Sequence, residues 1–494
     1  MMHDHGKSDR LIVPAKPPNE VEPGEAKEAV EGESLAEGKA PERNMSRTQS
    51  RTGMSSALER IRQAARRDKG QRFTALLHHV YSEETLKAAY FGLKRDAAAG
   101  IDGATWRQYG EELERNLKEL SERVQRGAYR AQPVRRAYIP KAGEPGKVRA
   151  LGVLVLEDKI VQRAAAEVLS SVYEQDFVRF SYGFRLGKSP HQALDALSIG
   201  IMRRKVNWVL DADIRGFFDN LDREWLVKFV EHRVADRRIV RLIQKWLNAG
   251  VLEEGKHIDV TMGTIQGGSI SPLLANIYLH YVFDLWVKQW RKSKARGDVI
   301  VVRFADDFVV GFEHRGDGER FLSELMERLK RFGLELHAQK TRLIEFGREA
   351  EENRRNRGEG KPETFNFLGF THSCATTRKG KFVVLRQTMR KRWQAKLKAV
   401  KAELRRRMHT SVPDMGRYVR AVVIGHMRYY AVPMNAVSVS DFRMGVIRIW
   451  RRVLKRRSQT SHMPLSRMRR YETRWVPQTH VCHPYPWQRF GVIT

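Results

Sequence analysis

The sequence has little cysteine and no long apolar run. Only two of its 494 residues are cysteines, Cys374 and Cys482, and they lie far apart with no CxxC pattern. A zinc ribbon and a disulfide framework are therefore not indicated, and this usage is typical of a reducing cytoplasm. No apolar run reaches the roughly 18 residues that a membrane-spanning helix needs, and the first residues resemble neither a signal peptide nor a transit peptide. We expect a cytoplasmic protein without a membrane partner.

Acidic residues are also in deficit. The chain has 91 Lys and Arg against 58 Asp and Glu, a formal net charge of +33. Residues 1–44 are acidic, with 6 basic and 10 acidic side chains, whereas residues 373–494 hold 28 basic and 4 acidic side chains. Charge of one sign at this density repels itself unless a polyanion compensates it. This balance favours a nucleic-acid partner over a merely soluble basic surface.

Composition and periodicity divide the chain into five segments. Residues 1–50 are rich in Glu, Pro, Gly, Ala and Ser and have few large apolar side chains, which predicts a disordered leader. Residues 51–130 have helical periodicity, and residues 131–372 contain most of the strand-like runs. Residues 373–460 form basic amphipathic helices, and residues 461–494 form a basic C-terminal tail.

The stretch from Val299 to Phe312 carries a pair of adjacent carboxylates, Asp306 and Asp307, between two runs of Val, Ile and Phe. Such runs favour strands, so the pattern predicts a β-hairpin with the acids at its tip. Ionised carboxylates among apolar residues are costly unless a cation or hydrogen-bond donors compensate them. The pair therefore indicates a metal site, although a plain charged hairpin turn would have the same local pattern.

A second apolar strand ends in carboxylates at Asp211 and Asp213. Residues two apart in a strand share a face, so both could lie near one site. We favour Asp213 as the ligand, because it ends the strand beside a glycine-containing turn. Three carboxylates from two strands suit a site for two Mg²⁺ ions, which prefer few carboxylates completed by water and substrate phosphate.

Two loops are candidates for nucleotide binding. The predicted hairpin over residues 135–151 places Lys141 and Arg149 on its inner side, where they could hold a triphosphate. A surface hairpin with solvated charges is the alternative. The loop Gly263–Pro272 has paired glycines and carries Gln266 at its apex, where an uncharged amide could contact a base or sugar. A plain turn before a helix would look the same.

The basic C-terminal third has one amphipathic helix in which apolar residues recur from Met389 to Met408 at steps of three and four, which predicts a buried stripe. The other faces are basic and have few acids at i,i+4 spacing to pair with them. Further basic clusters are interleaved with Trp450, Tyr471 and Trp475, a combination that suits structured or single-stranded RNA. The candidate RNA-binding residues are Arg390, Arg392, Lys396, Arg405, Arg406, Arg407, Arg452, Lys455 and Arg456.

In chain order these segments resemble a reverse transcriptase, specifically the reverse transcriptase/maturase encoded by bacterial group II introns. Phe304-Ala305-Asp306-Asp307 matches the signature tetrad, with Phe where most of the family has Tyr. Residues 385–457 resemble the thumb or maturase X domain. The other matching segments are Ala99–Gly103, Arg136–Leu151, Ser181–Leu194, Asp211–Phe218, Gln266–Pro272, Gly333–Thr341 and Phe365–Phe370.

The resemblance implies an α+β right-hand polymerase with fingers, a palm built on an antiparallel sheet, a helical thumb and a basic helical maturase X domain. Residues 51–130 would be an N-terminal helical extension of the fingers, 131–372 the fingers and palm, and 373–460 the thumb/X domain. Residues 461–494 would follow as a basic tail without a nuclease domain.

The resemblance also implies roles for single residues. Asp213 and Asp306 would hold two Mg²⁺ ions, with Asp307 as the supporting acid. Phe218 would press on the sugar and exclude a 2′-hydroxyl. The other dNTP contacts would be Lys141 and Arg149 on the triphosphate, Gln266 in the nucleotide pocket and Lys340 on a phosphate.

The implied function is an RNA-directed DNA polymerase that copies group II intron RNA and binds that RNA to assist splicing. Its partners would be the intron RNA, template RNA with a DNA primer or target DNA, and dNTPs. One departure leaves alternatives open: Ala150-Leu151-Gly152-Val153-Leu154 stands where the family usually has Pro-Leu-Gly-Ile-Pro. The alternatives are an RNA-binding maturase with a vestigial polymerase, and a domesticated reverse transcriptase in phage defence or CRISPR adaptation.

Overall fold

The computed structural model describes residues 46–140, 148–253, 256–258, 262–264, 267–457 and 463–490, and at residues 46–55, 140, 149 and 257 it describes the backbone alone. Lys141 and Gln266 lie outside the described residues, and so does the predicted leader up to residue 45. The first helix begins at Ser46, so the last five residues assigned to a disordered leader are helical instead.

The described chain alternates helices with short strands. The helices are α1 (Ser46–Arg67), α2 (Leu77–Tyr81), α3 (Glu83–Phe91), α4 (Trp106–Glu111), α5 (Leu113–Gln125), α6 (Leu156–Tyr173), α7 (Pro190–Arg203), α8 (Phe217–Asn220), α9 (Arg223–Glu231), α10 (Arg237–Leu247), α11 (Ser271–Leu279), α12 (Leu285–Ser293), α13 (Arg315–Arg331), α14 (Ala350–Asn356), α15 (Arg390–Arg406), α16 (Val412–Tyr430), α17 (Ala436–Lys455), α18 (Leu465–Trp475) and α19 (Pro486–Arg489). The strands are β1 (Val134–Pro140), β2 (Val148–Val153), β3 (Trp208–Asp213), β4 (Val251–Glu253), β5 (Lys256–Ile258), β6 (Val299–Phe304), β7 (Asp307–Phe312), β8 (Arg342–Glu345), β9 (Phe365–Phe367), β10 (Phe370–Thr376) and β11 (Phe382–Thr388). A π-helical turn, His280–Asp284, joins α11 to α12.

The central sheet has the strand order β6-β7-β3-β8, and all of its neighbours are antiparallel. Side chains alternate between its two faces. Val299 and Val301 pack into a hydrophobic cluster with α6 and α9–α13, whereas Ile300 and Val302 pack into a second cluster with α7 and the C-terminal helices. Because both faces are covered, β6 is a continuous apolar run rather than an alternating one, and each buried aliphatic side chain stabilises the sheet by about 1.5–3 kcal/mol.

The described residues form two smaller sheets besides the central one. The first has the order β2-β1-β4-β5, with β1 antiparallel to β2 and parallel to β4. The second is the antiparallel β9-β10-β11 sheet, which leads directly into α15. The helices α15, α16 and α17 pack together around Val400, Leu404 and Trp450, all almost fully buried. The predicted α+β class with an antiparallel central sheet and a helical C-terminal part is confirmed.

Within the described ranges, none of the helices combines the length and the apolar character that crossing a bilayer requires.

Candidate active site

The predicted acid-tipped hairpin is present. Strand β6 ends at Phe304 and β7 begins at Asp307, so Ala305 and Asp306 form a two-residue turn, here called the carboxylate turn. Two-residue hairpin turns require left-handed backbone, and Ala305 adopts it with a φ of 56°. Only a few per cent of non-glycine residues do so, because the Cβ atom crowds the backbone. The surrounding structure must therefore hold this turn in place.

Strand register brings the second acid to the same place. Asp213, the last residue of β3, pairs directly with Asp307, the first residue of β7. Directly paired residues project from the same face of a sheet, with Cβ atoms about 4.5–5.5 Å apart. Asp211 lies two residues earlier in β3 and shares that face. Four carboxylates, counting Asp306 in the turn, are thus concentrated at one end of the sheet.

Burial and the neighbouring carboxylates raise the pKa of two of these acids. Burial, and then the charges of Asp306, Asp211 and Asp213, raise the pKa of Asp307 well above its usual range, while Arg392 opposes the rise. Burial raises the pKa of Asp211 to about 6, against the effect of Arg342 and with a contribution from Asp213. The site therefore has an excess of negative charge that a bound cation would relieve.

Two cations lie against the acids: Arg342 lies 3.7 Å from Asp211, and Lys340 contacts Asp213. The Lys340 Nζ donates to Asp213 Oδ2 at 2.7 Å. The loop before it is fastened to the same strand end, because the backbone N–H of His337 donates to the Asp213 carbonyl at 2.8 Å and that of Arg215 donates to Glu335. Lys340 is thus placed beside the acids, where we had expected only a phosphate contact.

The donor set fits a hard divalent cation that substrate helps to bind. Among the described residues no cluster of three or more His, Cys, Asp or Glu side chains is already arranged to hold a metal ion. The acids at the sheet end offer only carboxylate oxygens, and Mg²⁺ characteristically takes one or two of these and completes its octahedron with water and phosphate oxygens. The arrangement matches that requirement and not a preformed zinc-type cage.

Phe218 and the glycine-rich loop lie next to the strand end that carries Asp213. Phe218 is half-buried in α8, and its carbonyl accepts from the backbone N–H of Thr264 at 2.8 Å. A Cβ atom on Gly263 would lie 2.7 Å from that carbonyl oxygen, so only glycine permits the contact. On its far side Gly267, with a φ of 110°, approaches the carbonyl of Gly152 in β2. The loop that contains Gln266 thus connects Phe218 with the strand that contains Arg149, whose side chain lies outside the described part of the structure.

The predicted RNA-binding residues differ in their surroundings. Arg406 and Arg407 both donate to Glu403, at 2.7–2.9 Å and 2.5 Å, so the expectation that this helix lacks nearby acidic partners is wrong for its last turn. Arg392 is half-buried, and its charge opposes the rise in the pKa of Asp307. The exposed members of the set are Arg390, Lys396, Arg405, Arg406, Arg452, Lys455 and Arg456.

Sequence reasoning missed the buried ion pairs, of which two groups concern the carboxylate turn and the C-terminal segment. Arg303 in β6 pairs with Asp284, and both side chains are 0% exposed. Asp195 in α7 receives Arg386 from β11 and Arg489 from α19, at 2.5 and 2.6 Å. The sequence signal for the Arg303–Asp284 pair was a lone Arg within the apolar run Val-Ile-Val-Val-Arg-Phe. The second group fastens the C-terminal segment to α7.

Comparison with known proteins agrees with this geometry. A family model described as "Reverse transcriptase (RNA-dependent DNA polymerase)" matches residues 139–372, and reverse transcriptase domains in general use divalent metal ions. The chain is 35% identical over 243 residues to the group II intron-encoded protein LtrA of Lactococcus lactis subsp. cremoris, a match that covers 48% of this chain and 40% of LtrA. It is 33% identical over 276 residues to protein YkfC of Escherichia coli (strain K12), covering 49% of this chain and 71% of YkfC.

A third relative is a 91 kDa protein in a cob intron of Schizosaccharomyces pombe, 38% identical over 148 residues, which are 30% of this chain and 18% of that protein. The chain matches well under half of the length of LtrA. The family model spans the segments from Ser181 to Phe370 that carried the resemblance in the sequence. The chain therefore belongs to the reverse transcriptase/maturase family encoded by group II introns.

Proposed function

We propose that the chain is an RNA-directed DNA polymerase that copies group II intron RNA into DNA and also binds that RNA to assist splicing. The observation that carries the proposal is the meeting of Asp213, Asp306 and Asp307 at one end of the central sheet. The raised pKa of Asp307 is a further support, because it indicates a site that a divalent cation would stabilise.

In this proposal Asp213 and Asp306 hold two Mg²⁺ ions, and Asp307 supports them. When bound, such ions lower the pKa of the primer 3′-hydroxyl and neutralise charge on the leaving pyrophosphate. Lys340 donates to Asp213, and it would contact an incoming phosphate once that carboxylate binds a cation.

The nucleotide would bind between the strand end and the loop that contains Gln266. Phe218 would press on the deoxyribose and reject a 2′-hydroxyl, which favours dNTPs. Lys141 and Arg149 would clamp the triphosphate, and Gln266 would line the nucleotide pocket. The support for this placement is the backbone contact of the loop with Phe218 on one side and with β2 on the other.

Intron and template RNA would bind the basic helices. Residues 373–494 have a net charge of +24, and Arg390, Lys396, Arg405, Arg452, Lys455 and Arg456 project into solvent. Exposed basic side chains bind phosphates without sequence preference and make affinity salt-dependent. Arg406 remains a candidate contact, while Arg392 and Arg407 are half-buried and would act more by positioning than by direct contact.

The second candidate is an RNA-binding maturase with a vestigial polymerase. The departure at Ala150–Leu154 favours it, because proline-free backbone is less rigid. Two observations argue against a loosened segment. Strand β2 pairs continuously with β1 from Val148 to Val153, and Leu154 is buried.

One experiment separates the two candidates. Purified protein is given its intron RNA in a splicing assay, and the same RNA annealed to a DNA primer in an extension assay with Mg²⁺ and dNTPs. We expect both activities. Splicing assistance without extension would support the vestigial polymerase, and extension without any effect on splicing would support a domesticated enzyme. A search of the flanking DNA for intron RNA domains is the matching control.

A further inference from the structure

A fully buried polar group lies directly behind the carboxylate turn. Arg303 from β6 meets Asp284 from the π-helical turn in a two-pronged pair, with Nε to Oδ1 at 2.7 Å and Nη2 to Oδ2 at 2.6 Å. Both side chains are completely excluded from solvent. Two parallel charge-assisted bonds fix the plane and the orientation of the guanidinium.

The third guanidinium nitrogen is directed at the turn. Arg303 Nη1 donates to the carbonyl of Ala305 at 2.9 Å and to Asn276 Oδ1 at 3.0 Å. Asn276, which lies on α11, donates in turn from Nδ2 to the carbonyl of Gly183 at 2.8 Å. The pair with Asp284 is therefore connected to two backbone carbonyls next to the acids.

The backbone of Gly183 also lies close against the carboxylate turn. A Cβ atom built on Gly183 would lie 2.3 Å from the backbone nitrogen of Ala305, and the contacted atoms are backbone, which cannot swing away. The backbone N–H of Tyr182 donates to the carbonyl of Arg303 at 2.8 Å, which fixes the two segments relative to each other. The carboxylate turn thus contacts the Arg303 side chain and the Gly183 backbone, and Asn276 links these two groups to each other.

Stability alone is a weak explanation for this arrangement. A buried ion pair usually costs as much to desolvate as it returns, so apolar side chains of similar volume would serve a core as well or better. A guanidinium can do something they cannot, because it donates to the carbonyl of a residue in left-handed backbone. That residue, Ala305, immediately precedes Asp306.

We propose that Arg303, fixed by Asp284 and Asn276, is a positioning residue that holds the Ala305–Asp306 turn so that the Asp306 carboxylate stays aimed at the metal site. The inference rests on the proposed polymerase function. Removal of the guanidinium contact frees the turn, so Asp306 samples other orientations and Mg²⁺ binds less tightly.

Arg303→Lys is the central test variant, because lysine keeps the charge opposite Asp284 but cannot bridge to Ala305 and Asn276 together. Asn276→Ala removes the link to Gly183 without changing charge. Arg233→Lys is the matched control: Arg233 is also a buried arginine, paired with Asp176 at 2.9 Å, and its backbone contacts are the remote carbonyls of Ala65 and Asp68.

Five quantities are measured for each variant: the melting temperature, the rise in melting temperature with MgCl₂ in the absence of nucleic acid, the primer–template affinity, and kcat and KM for dNTP over a Mg²⁺ series. We expect Arg303→Lys to need about 10- to 100-fold more Mg²⁺, or to lose kcat by a similar factor, as is typical of groups that orient metal ligands. KM for dNTP and primer–template affinity should stay near the wild-type values. Arg233→Lys should lose melting temperature and keep the wild-type Mg²⁺ dependence.

The proposal is overturned if Arg303→Lys and Arg233→Lys, compared at similar losses of melting temperature, have the same Mg²⁺ dependence. If Arg303→Lys does not fold, Asn276→Ala carries the same comparison. Wild-type protein that extends no primer would refute the proposed polymerase instead, and the metal-induced rise in melting temperature would still decide whether Arg303 serves the metal site.

Discussion

Replacement of Lys340 with methionine is expected to strengthen Mg²⁺ binding to the free protein and to slow nucleotide incorporation. The Lys340 ammonium donates to Asp213 Oδ2 at 2.7 Å, so it competes with a metal ion for that oxygen and also repels the cation. Methionine keeps most of the volume of the side chain and removes the charge. In the polymerase reaction the same charge would be lost from the phosphates.

The size of the binding effect follows from exposure. The side chains of Lys340 and Asp213 are 55% and 34% exposed, and pairs this open to solvent contribute about 0.2–1 kcal/mol. Removal of the competitor should therefore tighten Mg²⁺ binding by at most about fivefold. A larger change would mean that Lys340 does more than pair with Asp213.

Calorimetric titration of the free protein with MgCl₂, followed by single-nucleotide incorporation at saturating Mg²⁺, measures both effects. Lys294→Met is the control, because Lys294 is 50% exposed and pairs with Glu324 at 2.6 Å, away from the acids. Unchanged or weaker Mg²⁺ binding in Lys340→Met would refute the competition. Unchanged incorporation would remove Lys340 from the phosphate contacts.

Three further predictions concern other parts of the molecule. Phe218→Val should increase ribonucleotide incorporation relative to deoxyribonucleotide incorporation, because a smaller side chain no longer fills the space of a 2′-hydroxyl. The ratio of the two kcat/KM values measures this, and an unchanged ratio would mean that Phe218 does not exclude the 2′-hydroxyl. Burial raises the pKa of Asp158 to about 6, so its contribution of roughly 3 kcal/mol to the unfolding free energy is present below about pH 4 and is lost as the pH rises through 6. Urea unfolding at pH 5 and 7.5 should therefore show a flatter pH dependence for Asp158→Asn, and an equal slope would contradict this. Arg452→Ala and Arg456→Ala should each lower the salt slope of RNA binding by about 1, without altering primer extension at saturating RNA; an unchanged slope would place RNA elsewhere.

The sequence was most informative where the determining physics is local. Runs of Val, Ile and Phe predicted β6 and β7, and the acids that interrupt those runs predicted their turn. The apolar stripe of α15 predicted its buried side, with Val400 and Leu404 almost fully buried. These signals depend on residues a few positions apart, so a single sequence is enough to predict the elements.

The missed features depend on partners far apart in sequence. Lys340 and Asp213 are 127 residues apart, and Arg489 and Asp195 are 294 apart. No spacing rule connects such residues, and an ion pair does not produce a periodic pattern in the sequence. The basic C-terminal tail was assigned by charge alone, yet α18 packs against α16, and α19 packs against α7, where Arg489 pairs with the buried Asp195.

The most direct test of the proposed polymerase is primer extension by the wild-type protein and by Asp306→Ala on an RNA template annealed to a DNA primer. Both proteins are assayed with dNTPs, with and without Mg²⁺, after equal primer–template binding has been verified. We predict Mg²⁺-dependent extension by the wild type and none by the variant. Full extension by Asp306→Ala would contradict the assignment of the carboxylate turn as the metal-binding centre of a polymerase.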